Sequence, residues 1–163
     1  MVIRLYSGGL EGVDAFPVEV EVDYVRQGLP GFSLVGLAET EVREARDRVF
    51  AALRACNFRL PPARITVNLA PAGQRKAGTG YDLPLAVGLL AAAGELPPPP
   101  KDAAFLGELA LDGSLRPVSG VLPMALTAAA NGVQALYVPA ENAAEAAEAC
   151  GDTMLVYPAH TAL

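Results

Sequence analysis

Arg75 and Lys76 sit together in a segment, PAGQRKAGTGYD, that also carries Gly73, Gly78, Gly80 and Thr79 and ends on Asp82. Two cations and a hydroxyl on a glycine-rich loop beside a helix N-terminus suit an anionic oxygen such as a phosphate. Gln74, Arg75, Lys76 and Thr79 are therefore the candidate contacts to a phosphate. The same segment offers a second chemistry, in which Lys76 takes the proton of Thr79 or of Ser119 to make a nucleophile. That step needs a lysine of lowered pKa, and a loop lysine in water stays protonated. The sequence thus predicts an exposed Lys76 that cannot serve as a base. As an alternative, the loop cations are solvated or pair with carboxylates such as Asp82, which would itself repel an anion.

Two nucleotide signatures fail at the same place. Gly73 to Gly78 has the spacing of a phosphate-binding loop, but Thr79 stands where the lysine is required. A dinucleotide fingerprint begun at Gly78 would need its third glycine at Leu83. Metal binding has no support, because His160 is the single histidine and has no ligand at useful spacing. Cys56 and Cys150 fit neither a metal nor a redox motif, so a reducing, cytoplasmic setting is the expectation.

The elements that hold the loop follow from periodicity. Arg64 to Leu69 (RITVNL) reads as a strand that Pro71 must end. Asp82, as N-cap, opens an apolar helix to Leu90 with Pro84 in its first turn. Upstream, Val2–Ser7 is a strand ended by Gly8-Gly9, Phe16–Val25 alternates valines with acids, and Phe32–Val35 is a third strand. The opening is read as an antiparallel β meander. Glu39–Asn57 is one amphipathic helix, with Glu39–Arg43 and Glu44–Arg48 as i,i+4 pairs worth roughly 0.3–0.5 kcal/mol each.

Downstream, Pro97 to Pro100 must be an extended, exposed loop inside the domain. Phe105–Leu111 turns at Asp112-Gly113 onto Leu115–Val118, and Ser119 is placed to cap a helix over Gly120–Ala130 that stops at Asn131-Gly132. Val133–Val138, Glu141–Ala149 and Met154–Tyr157 complete a βαβαβ order, which implies parallel strands. The fold class is mixed α/β. Residues 1–158 form one domain, and 159–163 look like the start of a truncated helix or a linker leading onward.

An apolar fraction of 52% is ample for a single core, and no apolar run reaches membrane-spanning length. A net charge of −6 and a pI near 4.7 exclude nucleic-acid binding through the overall field and leave room only for a local basic patch.

The segments GLPGFSLVGLAETEVREARDRVFAAL, RITVNLAPAGQRKAGTGYDLPLAVGLL, FLGELALDGSLRPVSGVLPMA and VPAENAAEA together resemble the N-terminal domain of the YifB/ComM family of magnesium-chelatase-related AAA+ ATPases. The resemblance implies a Lon-protease-like fold, shared with the C-terminal domain of RadA. It also implies a downstream AAA+ ATPase that binds ATP and Mg, a hexameric ring of neighbouring subunits, and a DNA-processing role in natural transformation. It implies no cofactor in this chain. By the same resemblance the Ser-Lys dyad of Lon-type proteases falls on Gly80 and Leu122, neither of which can attack or accept a proton. The chain is therefore expected to be non-catalytic. The alternatives are a residual Lon-type peptidase and a protein-interaction module with no DNA contact.

Overall fold

The computed structural model describes residues 2–150 and 155–159. Strands β1 (Val2–Glu11) and β2 (Asp14–Val25) form because their residues alternate between core and water, with Val18, Val20 and Val22 inward and Glu19 and Glu21 outward. They pair antiparallel over their whole length, from Val2↔Asp23 to Glu11↔Asp14. Gly8-Gly9 thus lies inside β1 and does not end it. Gly9 is opposite Phe16, and a Cβ there would fall 2.6 Å from the Phe16 Cζ and 2.7 Å from the Tyr81 hydroxyl. The glycine answers to the rings packed over it.

The expected meander does not form. Strand β3 (Gly31–Val35) pairs parallel with β4 (Arg64–Ala70), and β4 lies antiparallel beside β2. The connection from β3 to β4 carries helices α1 (Thr40–Arg43) and α2 (Ala45–Ala55), and a helical crossover returns the chain in parallel. These two helices replace the single one expected over 39–57, with the break at Glu44. Helix α3 (Asp82–Ala92) is buried on nearly every side, and Gly88 lets it close on the sheet, since a Cβ there would meet Val22 at 2.7 Å.

The second half follows the expected order, with one change. Strand β5 (Ala103–Phe105) joins the main sheet, whereas β6 (Glu108–Leu109) and β7 (Leu115–Arg116) form a separate two-stranded ribbon. Asp112 shapes the ribbon's turn by accepting from the Ser114 backbone N–H at 2.9 Å and its hydroxyl at 2.6 Å. Helix α4 (Val121–Ala130), strand β8 (Ala135–Pro139), helix α5 (Ala143–Cys150) and strand β9 (Leu155–Ala159) complete the chain, with β5, β8 and β9 parallel. Gly120, at φ +78°, is the N-cap of α4, so Ser119 does not cap it. Strand β9 runs on through Ala159, where a helix or linker was expected to begin; residues 160–163, with His160, lie outside the described residues.

The result is a mixed α/β fold on one seven-stranded sheet, ordered β3-β4-β2-β1-β5-β8-β9. Helices α2 and α3 cover the face that carries Ile3 and Leu5. Helix α4 covers the other face, against Tyr6, Gly8 and Leu10. Among the described residues no helix is long and apolar enough to cross a membrane.

Candidate functional site

The loop from Pro71 to Gly80 joins β4 to α3 and is stitched to the segment after β3. The Lys76 N–H donates to the Leu37 carbonyl at 2.9 Å, and the Glu39 N–H donates to the Lys76 carbonyl at 2.8 Å. The Lys76 side chain follows its backbone inward and is fully buried. Its Nζ donates to the Gly36 carbonyl at 2.7 Å and to the Pro71 carbonyl. This corrects the expectation of an exposed ammonium. Burial pushes the lysine pKa below its ordinary range, but the partners are carbonyl oxygens, not the hydroxyls of Thr79 or Ser119. Gly36 makes the arrangement fit, because a Cβ at its φ of +115° would lie 2.2 Å from the Leu69 carbonyl oxygen.

Arg75 points the other way. Its side chain is 77% exposed, and Nη1 donates to Glu39 Oε1 at 2.7 Å. Arg43, the expected partner of Glu39, donates instead to the Ala38 carbonyl at 3.2 Å. The Gly78 N–H donates to Glu41 Oε1 at 3.0 Å, which holds that carboxyl below its ordinary value. Gln74 and Thr79 are half-buried. Of the loop's two cations, one is therefore an internal tie and one is offered to solvent.

Asp82 is not the N-cap of α3. Tyr81 holds that position with no side-chain cap bond, and Asp82 is fully buried inside the first turn. Arg48 from α2 binds it through two hydrogen bonds, and the Leu109 N–H donates to Oδ2 at 3.0 Å. Arg48 thus pairs with Asp82 and not with Glu44, and Asp82 pairs with neither loop cation. The one signal in the sequence was a carboxylate set at the head of an unbroken apolar helix, a charge that burial obliges to find a partner.

Gly80 and Leu122, where the resemblance would set a Lon-type dyad, carry no reactive groups. A Cβ at Gly80 would meet Leu106 at 3.8 Å and Val118 at 3.9 Å, and the Gly80 carbonyl accepts the Gly107 N–H at 3.0 Å. Leu122 is 42% exposed on the first turn of α4. Beside them Tyr81 places a buried hydroxyl that has no hydrogen-bond partner among the described residues, and burial pushes its pKa far up. No cluster of three His, Cys, Asp or Glu suited to a metal occurs among the described residues.

Similarity to known proteins places this geometry in a family. The family model described as subunit ChlI of Mg-chelatase matches residues 18–142. The competence protein ComM of Haemophilus influenzae is 48% identical over 143 residues, which is 87% of this chain and 28% of that protein. YifB of Salmonella typhimurium is 47% identical over 135 residues, 82% of this chain and 26% of that protein. A protein of Mycobacterium bovis, Mb2921c, is 44% identical over 144 residues, 88% of this chain and 28% of its own length. The chain thus spans just over a quarter of the length of the relatives it matches. On this similarity the chain belongs to the magnesium-chelatase-related ChlI family that includes ComM and YifB.

Proposed function

We propose that this chain is the non-catalytic, Lon-like part of a magnesium-chelatase-related AAA+ ATPase. In this reading it supports assembly of a cytoplasmic hexameric ring and helps the ring engage DNA during natural transformation. ATP and Mg would be held by a domain beyond this stretch. The observation that carries the reading is 48% identity to a protein named for competence over 87% of this chain.

The DNA contact falls to Arg75, with Gln74 and Thr79 beside it, because the Lys76 ammonium is committed to two carbonyls. One exposed guanidinium per subunit gives a weak, salt-dependent contact, and a ring multiplies it through avidity. The test is DNA binding by full-length rings carrying Arg75→Ala. The expected result is weaker binding at every sequence, with a salt slope reduced by about one per lost phosphate contact. Unchanged affinity and slope would reject the loop as a DNA contact.

A second reading, a protein-interaction module without DNA contact, is favoured by the Glu39 carboxylate that already neutralises Arg75. Rings lacking this domain distinguish the two, since unchanged DNA binding supports the second.

A further inference from the structure

A cavity of about 360 Å³ opens between β1 and α4, on the sheet face away from α3. Its walls are Gly8, Ala104, Leu106, Met124, Ala128 and Leu136. Ser7 adds little polarity, since its hydroxyl is spent on the Phe105 carbonyl at 2.8 Å. Gly8 lets α4 pack close, because a Cβ there would stand 3.3 Å from the Met124 side chain, which lies directly on it. The volume lies within the range of small-molecule pockets, about 300–1,000 Å³.

The rim carries charge of both signs. Lys101 and Asp102 line the mouth with Thr127 and Asn131, and both charged residues are exposed. Among the described residues neither is in an ion pair. Their backbone is nevertheless held. The Gln134 and Ala135 N–H groups donate to the Asp102 carbonyl at 2.8 and 3.2 Å, and the Ala103 N–H donates to the Pro100 carbonyl at 3.2 Å. The prolines from Pro97 to Pro100 stiffen the approach, since each ring locks φ. A rigid rim that offers a cation and an anion on consecutive residues over an apolar cavity matches a zwitterion with an apolar body.

We propose that this cavity binds a free α-amino acid with a large apolar side chain, such as leucine or phenylalanine. The side chain fills the space lined by Ala104, Ala128 and Leu136. The ammonium faces Asp102, and the α-carboxylate faces Lys101. A plain carboxylic acid would set its charge against Asp102, and a plain amine against Lys101, so either charge alone binds less well than both together.

The test is titration of this chain with L-phenylalanine and L-leucine, read by amide chemical shifts at β1 and α4. For ligands of this size the expected dissociation constant is about 0.1–1 mM. 3-Phenylpropionate, which lacks the ammonium, and phenethylamine and L-phenylalaninamide, which lack the carboxylate, should bind about tenfold more weakly. Asp102→Asn should erase the preference over phenylpropionate, and Lys101→Met the preference over phenethylamine. Ala128→Phe, at a half-exposed helix position, should fill the cavity and abolish binding. Absence of shifts at ~10 mM amino acid overturns the proposal. So does binding of the singly charged analogues as tight as that of phenylalanine, or binding that survives Ala128→Phe.

Discussion

Arg48 grips Asp82 with two hydrogen bonds, Nε to Oδ2 at 2.7 Å and Nη2 to Oδ1 at 3.0 Å, across 34 residues of sequence. The pair joins α2 to α3, and the Leu109 N–H brings the β6–β7 ribbon to the same carboxylate. Arg48 also donates to the Glu41 carbonyl at 2.8 Å, so the guanidinium ties α1 to α2 as well. The Asp82 carboxylate holds the Arg48 guanidinium above its ordinary range. One ion pair therefore fixes the root of the loop that carries Arg75.

Breaking that pair from one side leaves a fully buried carboxylate without its cation. Arg48→Ala is expected to cost about 3 kcal/mol in urea unfolding. The double substitution Arg48→Met with Asp82→Leu should cost less than the sum of Arg48→Met and Asp82→Leu alone, because no charge remains to be desolvated. Additive losses would contradict the pairing.

Adjacent loop cations should behave oppositely. Arg75→Ala removes an exposed ion pair and is expected to change stability by less than about 0.5 kcal/mol. Lys76→Met keeps the apolar stem but strips the Gly36 and Pro71 carbonyls of their donor, at an expected cost of about 1–3 kcal/mol. Chemical denaturation of the two variants side by side measures the contrast.

Tyr81 carries a buried hydroxyl with no hydrogen-bond partner among the described residues, so Tyr81→Phe is expected to stabilise the fold by about 1 kcal/mol. Burial raises this phenol above its ordinary value of 10.0. The folded state keeps its proton while the unfolded state ionises, so stability falls as pH rises past the unfolded value. Denaturant unfolding between pH 9 and 11 should show a steeper loss for the parent than for Tyr81→Phe, by up to about 1.4 kcal/mol per pH unit.

Glu41 supplies an acid-side counterpart. The Gly78 N–H lowers its pKa from the ordinary 4.5, so the stabilisation is present above that value and lost as pH falls through the lower folded one. Hydrogen exchange at the Gly78 amide, corrected for its intrinsic rate, should lose protection in that acid range. Glu41→Ala should lose it at neutral pH. Protection of Gly78 that is independent of pH and of this substitution would contradict the contact.

Much of the fold was legible in the residues. Period-two alternation in Val18, Val20 and Val22 located β2, and the apolar run after Asp82 located α3. The Asn131-Gly132 stop and the order of β5, α4, β8, α5 and β9 also follow from local pattern. Gly8-Gly9 misled, because glycine inside a strand reads locally as a terminator while here it serves packing by Phe16 and Tyr81.

Amino-acid sequence alone determined where strands and helices arise, the glycine-rich loop between β4 and α3, and the absence of reactive side chains at Gly80 and Leu122. These depend on residue type and on periods of two and 3.6, which are local properties. Tertiary structure decided the partners: β4 rather than β2 for β3, Arg48 rather than a cap for Asp82, and carbonyl oxygens rather than solvent for Lys76. A buried charge must be satisfied by something, but which group reaches it depends on the crossover that carries α2 over the sheet and on the close approach at Gly36. Those are contacts between segments about 30 to 40 residues apart, and no local period encodes them.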